Sequence, residues 1–300
     1  MTKLESIIYN LVRQNPALKQ QLRKEYFTGD IQMKENYFFG FHDITPFSAD
    51  ETKVLANHNL FDLRMPKPNE FLEVGYFDFF DDKIGKFHFI GKSFAWNYHK
   101  GCRLQWIDED HLIFNTAENN NAVSKIVDIN SLEEKLINYP IDSIYTNQDC
   151  WLATSFSYER LDRCMPGYGY PYKDNGYIEE PIPSETGLFI IDLNNNTQQL
   201  LIPISELTKT IDPSFNNDYL HFVTHSEFSP DGKYISFLHR WISKTGDYMK
   251  RWTRIMVYNR ETNDLIELPS QNSGSHYVWN RQNQLLASCI INGNSCHVLF

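Results

Sequence analysis

The sequence predicts an all-β fold, a β-propeller of four-stranded blades behind a short helical leader, and three observations point to it. A hairpin template recurs along the chain. A second hairpin of different character follows each copy. The resulting units are roughly 40–60 residues long, the period of propeller blades, whose sheets bury both faces only by stacking on their neighbours.

The template is clearest at Glu227–His239, EFSPDGKYISFLH. Phe228 precedes a Ser-Pro-Asp-Gly-Lys turn in which Pro230 presets φ and Gly232 accepts a positive one, and Tyr234–Phe237 reads as a β-branched and aromatic return strand. Placing Phe47 on Phe228 aligns PFSADETKVLANH (46–58), so Asp50 matches Asp231 and His58 matches His239. Trp106 and Trp279 anchor two further copies, at 103–114 and 276–287, and a weaker one runs from Asp142 to Ser155. The second hairpins lie at 74–90, 124–137, 187–202 and 254–268, each an apolar strand, a polar turn and a returning strand.

Ahead of the repeats, Leu4, Ile7, Ile8, Leu11 and Val12 fall at helical spacing, and Asn15-Pro16 reads as the cap of a second short helix. The expected division is therefore a helical segment over 1–30 and a propeller over 38–300. Four units are complete and a fifth stops at SCHVLF (295–300), which suggests a chain shorter than the architecture it came from, with an oligomer as another way to cover the open faces.

The composition narrows the function classes. With 28 basic and 38 acidic residues the formal charge is −10, which argues against a general nucleic-acid or anionic-membrane surface and leaves room only for a focused anion site. Five cysteines without CxxC spacing read as reduced thiols. With no apolar signal core at the N-terminus and no run of about 18 apolar residues, the expectation is a cytoplasmic protein that does not insert into a membrane. GxSxG, P-loop and GxGxxG motifs are absent.

In a propeller the first strand of each blade lines the channel, so one repeat position forms a ring. Here it holds Ile44 (beside His42-Asp43), Arg103, Asp142, His225 and His276. His225 and His239 are expected to emerge together at the open end of their hairpin, with His58 on the same rim. A single histidine is more often structural than a ligand. Repeat-equivalent histidines make a divalent transition-metal site a serious alternative, with Gln271 or Asp142 adding oxygen.

The long insertion at 157–185 carries five tyrosines. Tyr168 and Tyr170 could stack on sugar faces, or the segment could simply pack over a neighbouring blade. Among nearby arginines, Lys250-Arg251 reads as a solvated face and Arg254 as a substrate contact alongside Arg103 and His239. Arg160 and Arg163 are the expected partners of a ligand anion.

At HSEFSPDGKYISFLHRW (225–241), RWTRI (251–255) and SGSHYVW (273–279), the chain resembles the oligogalacturonate lyase family of β-propeller enzymes. That resemblance implies seven blades, a divalent metal such as Mn2+, and β-elimination on an anionic, uronate-containing oligosaccharide. It places His225 and His276 at metal-ligand positions, with Gln271 as counterpart of a glutamine ligand, and it leaves Arg160 or Arg163 for proton abstraction. The family's second histidine falls on Val278 here. The competing expectation is a propeller that binds a glycan or protein partner without turning it over.

Overall fold

The Ser-Pro-Asp-Gly turn shows why the repeat folds as it does. Ser229 Oγ donates to Asp231 Oδ1 (2.6 Å) and accepts from the Tyr234 amide (2.9 Å), while the amide of Lys233 also bonds Asp231 (3.0 Å). In the first unit Ser48 donates to Asp50 (2.6 Å) and accepts from the Lys53 amide (3.0 Å), the same bonds from the aligned residues. Gly232 takes φ +70°, and a Cβ there would meet the Tyr145 ring at 2.5 Å. Glu51, aligned with it, also has a left-handed backbone (φ 57°). In the fourth-unit turn the Tyr145 ring is pressed against this position, and there glycine is required.

In the computed structural model the described residues are 32–300, apart from 63, 68, 149 and 246–249. The helical leader expected over 1–30 lies outside them. Residues Asn36–Phe300 form one unit.

Among the described residues five antiparallel sheets follow one another, each in simple sequence order. The first contains β1 (Tyr37–Phe38), β2 (Lys53–His58), β3 (Leu72–Phe80) and β4 (Lys83–Ser93); the second β5 (Gln105–Trp106), β6 (His111–Glu118), β7 (Asn121–Asp128) and β8 (Glu134–Ile137). The third contains β9 (Ile144–Thr146), β10 (Trp151–Ser155), β11 (Gly187–Asp192) and β12 (Thr197–Pro203); the fourth β13 (Tyr219–Phe228), β14 (Tyr234–Ser243), β15 (Arg251–Asn259) and β16 (Leu265–Glu267). The fifth has three strands, β17 (Ser275–Trp279), β18 (Leu285–Ile291) and β19 (Asn294–Leu299).

Each sheet shares a core with the next. Leu55, Val74 and Tyr76 meet Leu104, Leu112 and Phe114; Ile113 and Ile126 meet Ala153 and Ile191; Leu188 and Ile202 meet Phe222 and Phe237; Leu238 and Ile255 meet Tyr277 and Leu285. Four-stranded meanders joined through face-to-face apolar cores are propeller blades, and the fold is an all-β propeller. Among the described residues no fifth core of this kind joins the last sheet to the first, and Val278, Leu286, Ile290 and Leu299 stay exposed on the last sheet.

The insertion is more ordered than its sequence suggests. It opens with α1 (Tyr158–Cys164), whose N-terminus is capped by Ser157 Oγ accepting from the Arg160 amide (2.9 Å). Asp174, sixteen residues further on, accepts from the Tyr158 amide (2.5 Å), so the segment folds back over the start of its own helix. No helix among the described residues is long and apolar enough to cross a membrane.

Candidate functional site

The ring position predicted from the repeat is occupied by a buried ionic cluster. Asp142 sits at its centre, fully buried. It accepts from Lys100 Nζ (2.6 Å), the Tyr158 hydroxyl (2.8 Å) and the Ser226 amide (2.7 Å), and it pairs with Arg103 Nε (3.0 Å). Burial pushes its carboxyl up, but Arg103 and Lys100 outweigh burial and hold it below the usual value. Arg103 continues the chain to Asp43 (2.9 Å). Groups from the segment between β4 and β5, from β13 and from α1 thus converge on one carboxylate just ahead of β9, which ties these parts of the chain together. Arg103, expected to touch substrate, is part of this frame, because its Nε and Nη1 are taken and the side chain is fully buried.

Above the cluster lies a cavity of about 50 Å³, walled by Phe41, His42 and Asp43, by Tyr168 of the insertion, by His225, Glu227, Arg240 and Arg251 of the fourth sheet, and by His276 of the fifth. Backbone irregularity aims two of these side chains. The β13–β14 register shifts between Thr224 and Glu227, and the β17–β18 register shifts between Ser275 and Tyr277. A bulge of this kind re-aims the residue it carries. His225 (φ 53°) occupies the first bulge and His276 the second. Each has its Nδ1 held at 2.8 Å by the preceding hydroxyl, Thr224 Oγ1 or Ser275 Oγ.

The charges around the cavity are unbalanced. Arg240 is almost wholly buried, with Nε on Thr253 Oγ1 (3.1 Å) and Nη1 on Met165 Sδ (3.4 Å), and among the described residues no carboxylate pairs with it. Burial, and then Arg251 beside it, bring its pKa down to about 9. Glu227 has one carboxyl oxygen buried without a partner, and burial, reinforced by Asp43, raises its pKa to about 8. His225 is held well below its ordinary pKa by burial and the positive charge of Lys100 and Arg240, and His276 is lowered by burial, His42 and Arg240. At neutral pH the cavity therefore presents the neutral imidazoles of His225 and His276, the neutral carboxyl of Glu227 and the guanidinium groups of Arg240 and Arg251, beside Asp43, which is paired with Arg103.

The expected pairing of His225 with His239 does not form. With Ser229 opposite Tyr234, hairpin alternation places His225 across from Leu238, one residue short of His239, and one residue exchanges the faces of a sheet. The bulge completes the separation by pairing Val223 with His239. His239 lies fully buried on the other face, where Arg254 Nη2 donates to its Nδ1 (3.0 Å). Its Nε2 must then donate to His221 Nδ1 (3.1 Å), and His221 Nε2 donates to the Phe215 carbonyl (2.7 Å). Arg254 also bonds Glu267 (2.6 Å), Thr210 and the Leu207 carbonyl, so it too serves the frame rather than the cavity.

Other expected residues are placed apart from the cavity. Arg160 is buried, donating to the carbonyls of His221 (2.6 Å), Gly176, Tyr177 (2.6 Å), Glu180 (2.7 Å) and Pro181, which makes it the clamp of the insertion. Arg163 lies at the surface against Glu179 (3.4 Å). Tyr170 is a core residue stacked on Tyr158 at 4.3 Å. Of the two tyrosines expected to face sugar, Tyr168 alone lines the cavity, 6.0 Å from His225 between ring centroids.

The donors present do not fit a three-ligand divalent metal. Among the described residues no three His, Cys, Asp or Glu side chains converge. Gln271 is turned to Asn292, accepting from its amide (2.9 Å). The Phe41 ring rests against both imidazoles, 5.2 Å from His225 and 5.7 Å from His276. Sequence reasoning missed Arg240 and Glu227, yet hairpin alternation carried the signal, since Arg240 lies two residues beyond Leu238 on the face that His225 shares.

No family profile matches the sequence, and no curated protein sequence matches it. Solved structures give distant likenesses. TolB from Acinetobacter baumannii is 14% identical with a TM-score of 0.46 over 88% of this chain and 51% of TolB, so the chain spans about half of that protein's length. An oligogalacturonate lyase in complex with manganese is 14% identical with a TM-score of 0.43, over 88% of this chain and 75% of the enzyme. The β-propeller domain of the Trilobed protease from Pyrococcus furiosus, described as having an open velcro topology, is 11% identical with a TM-score of 0.48, over 90% and 70%. At this distance none carries an argument about activity, and the assignment of the fold rests on the chain's own sheets.

Proposed function

We propose that the rim cavity binds the carboxylate of a uronate-containing oligosaccharide and supports β-elimination on it. One observation carries the reading. In a protein of net charge −10, Arg240 is buried beside Arg251 with no carboxylate on either among the described residues. A buried guanidinium without a counter-ion is costly, and an anionic ligand would supply the missing charge.

The residues suit the reaction. Arg240 and Arg251 would neutralise the substrate carboxylate and stabilise the charge that develops when the C5 proton leaves. His276, exposed at the rim and held neutral, is the base; its Nε2 has no hydrogen-bond partner among the described residues. The C5–H electron pair forms the C4–C5 double bond as the C4–O bond breaks. The departing oxygen takes a proton, and the neutral carboxyl of Glu227 is the acid the cavity offers. No step here is assigned to a metal. A cytoplasmic location belongs to this reading, since all five cysteines are free thiols.

A second reading, binding without turnover, is favoured by the size of the cavity. About 50 Å³ admits a carboxylate or one to two waters but does not enclose a sugar ring, which would rest on the rim. Incubation with oligogalacturonides, with and without Mn2+, followed by ultraviolet absorbance of the unsaturated product, separates the two. Product whose formation is lost in Arg240→Met supports the lyase; calorimetric binding without product leaves the binding module; absence of both across a uronate panel sinks the proposal.

A further inference from the structure

Beside the rim cavity is a second and larger cleft, of about 320 Å³, formed where the segments around Lys67 and Trp96–His99 meet α1 and the insertion. Its size lies at the lower end of small-molecule sites. Trp96, Tyr98 and Tyr172 line it, and each ring is held by a hydrogen bond at its polar atom: Trp96 Nε1 donates to the Glu70 carbonyl (2.9 Å), Tyr98 accepts from Asn59 (3.3 Å) and Tyr172 from the Asn69 amide (3.4 Å). Rings fixed in this way present apolar surface to a ligand, and the C–H face of a pyranose complements the negative face of an aromatic ring.

Asp162 makes the cleft more than an apolar groove. It projects from α1, partly buried, and among the described residues its carboxylate has no hydrogen bond and no ion pair. Burial alone raises its pKa, as expected of an acid whose acceptor sites are all idle. The other acid of the lining, Glu70, is held by both terminal nitrogens of Arg64 (2.8 and 2.6 Å). Asp162 therefore awaits donors, and adjacent sugar hydroxyls supply a pair of them. A second acidic group would meet it with like charge, although Lys67 stands at the exposed edge.

The two sites share a wall. The His99 ring, which lines the cleft, stacks on Tyr168 at 4.2 Å and 5°, and Tyr168 lines the rim cavity. We infer that this cleft is a subsite for a neutral pyranose residue of the glycan whose acidic residue occupies the rim cavity, so that the ligand is a mixed acidic and neutral oligosaccharide. The inference rests on the anionic-glycan reading of that cavity.

Calorimetry on the full chain tests it with three kinds of probe: free uronic acids, a panel of aldobiouronates in which a neutral sugar is joined to the uronate, and diuronates. At least one aldobiouronate should bind tenfold or more tightly than its parent uronic acid, and more tightly than the diuronate. Asp162→Asn and Tyr98→Ala should each remove that gain while leaving the affinity for the monomer unchanged, whereas Arg240→Met should weaken all three. If the aldobiouronates show no gain, or if the cleft variants keep it while Arg240→Met still weakens binding, the subsite is wrong and the cavity reading survives. A cleft that serves a protein partner instead would give that same result. If no uronate binds the wild-type protein, both fall together.

Discussion

The two faces of the fourth sheet are built from the same residue types and put them to opposite uses. On one face His221, His239, Arg254 and Glu267 form a chain in which each imidazole nitrogen has a partner. On the other, His225, Arg240, Arg251 and Glu227 surround a cavity in which a buried cation lacks a counter-ion and a buried carboxyl oxygen lacks a donor. Residue identity does not separate frame from site. Pairing of charge does: Arg254 has Glu267 and Arg103 has Asp142 and Asp43, whereas Arg240 has no carboxylate among the described residues, and an unpaired buried charge costs free energy that only water, an ion or a ligand relieves.

The largest expected effect breaks this comparison at its arginines. Arg254→Met removes the donor to His239 and leaves its buried Nδ1 and the Leu207 carbonyl unpaired, so urea denaturation should show a loss of about 2–4 kcal/mol. Arg240→Met keeps the volume and deletes an unpaired buried charge, so stability should stay within about 1 kcal/mol of wild type or rise, while uronate binding is lost. Equal destabilisation by the two would erase the distinction between the faces.

Next comes pH. Burial lowers the His221 pKa to about 4, so between about 6.5 and 4 the unfolded chain binds the proton and the folded one does not; stability present above pH 6.5 is lost as pH falls, by on the order of 3 kcal/mol. Glu227 acts in the opposite sense. Its raised pKa, about 8, keeps the folded chain protonated after the unfolded one has released its proton, so stability falls as pH rises from about 4.5 to 8. Asp174, raised to about 7 by burial, adds to that slope. Between about pH 4.5 and 6.5 these groups act against one another, so relative to wild type Glu227→Gln should make the slope of stability against pH more positive and His221→Gln more negative. Denaturation curves at several pH values that keep one slope in both variants would contradict the assignment.

How much of this was legible in the sequence follows from where each signal lies. The blades were, because Ser48-Asp50 and Ser229-Asp231 carry their turn chemistry within three residues. The ring position was also legible, since Arg103, Asp142, His225 and His276 do converge around the channel once the repeat is aligned. The opposition of His225 and His239 could have been read from strand alternation. The role of Arg160 could not: its acceptors are main-chain carbonyls as many as 61 residues away, and carbonyls leave no trace in residue identity. The orphaned state of Arg240 was equally hidden, because a missing partner becomes visible only when every neighbour has been placed.

The smallest expected effect sharpens the same contrast on a single helix. Arg160 and Arg163 lie three residues apart on α1, one buried and the other 38% exposed beside Glu179, itself 78% exposed. A pair at 3.4 Å in water is worth about 0–0.5 kcal/mol, since solvent screens it and two long side chains lose freedom to form it. Arg163→Ala should therefore leave the urea midpoint almost unchanged and the uronate affinity intact. Arg160→Ala, which strands several buried carbonyls, should cost about 3 kcal/mol or more and loosen the insertion that carries Tyr168 and Asp162. Protease nicking within 165–185 provides the independent readout: faster in Arg160→Ala, unchanged in Arg163→Ala. A loss of uronate binding in Arg163→Ala without any change in nicking would return that arginine to the site and require the anion to bind some distance from Arg240.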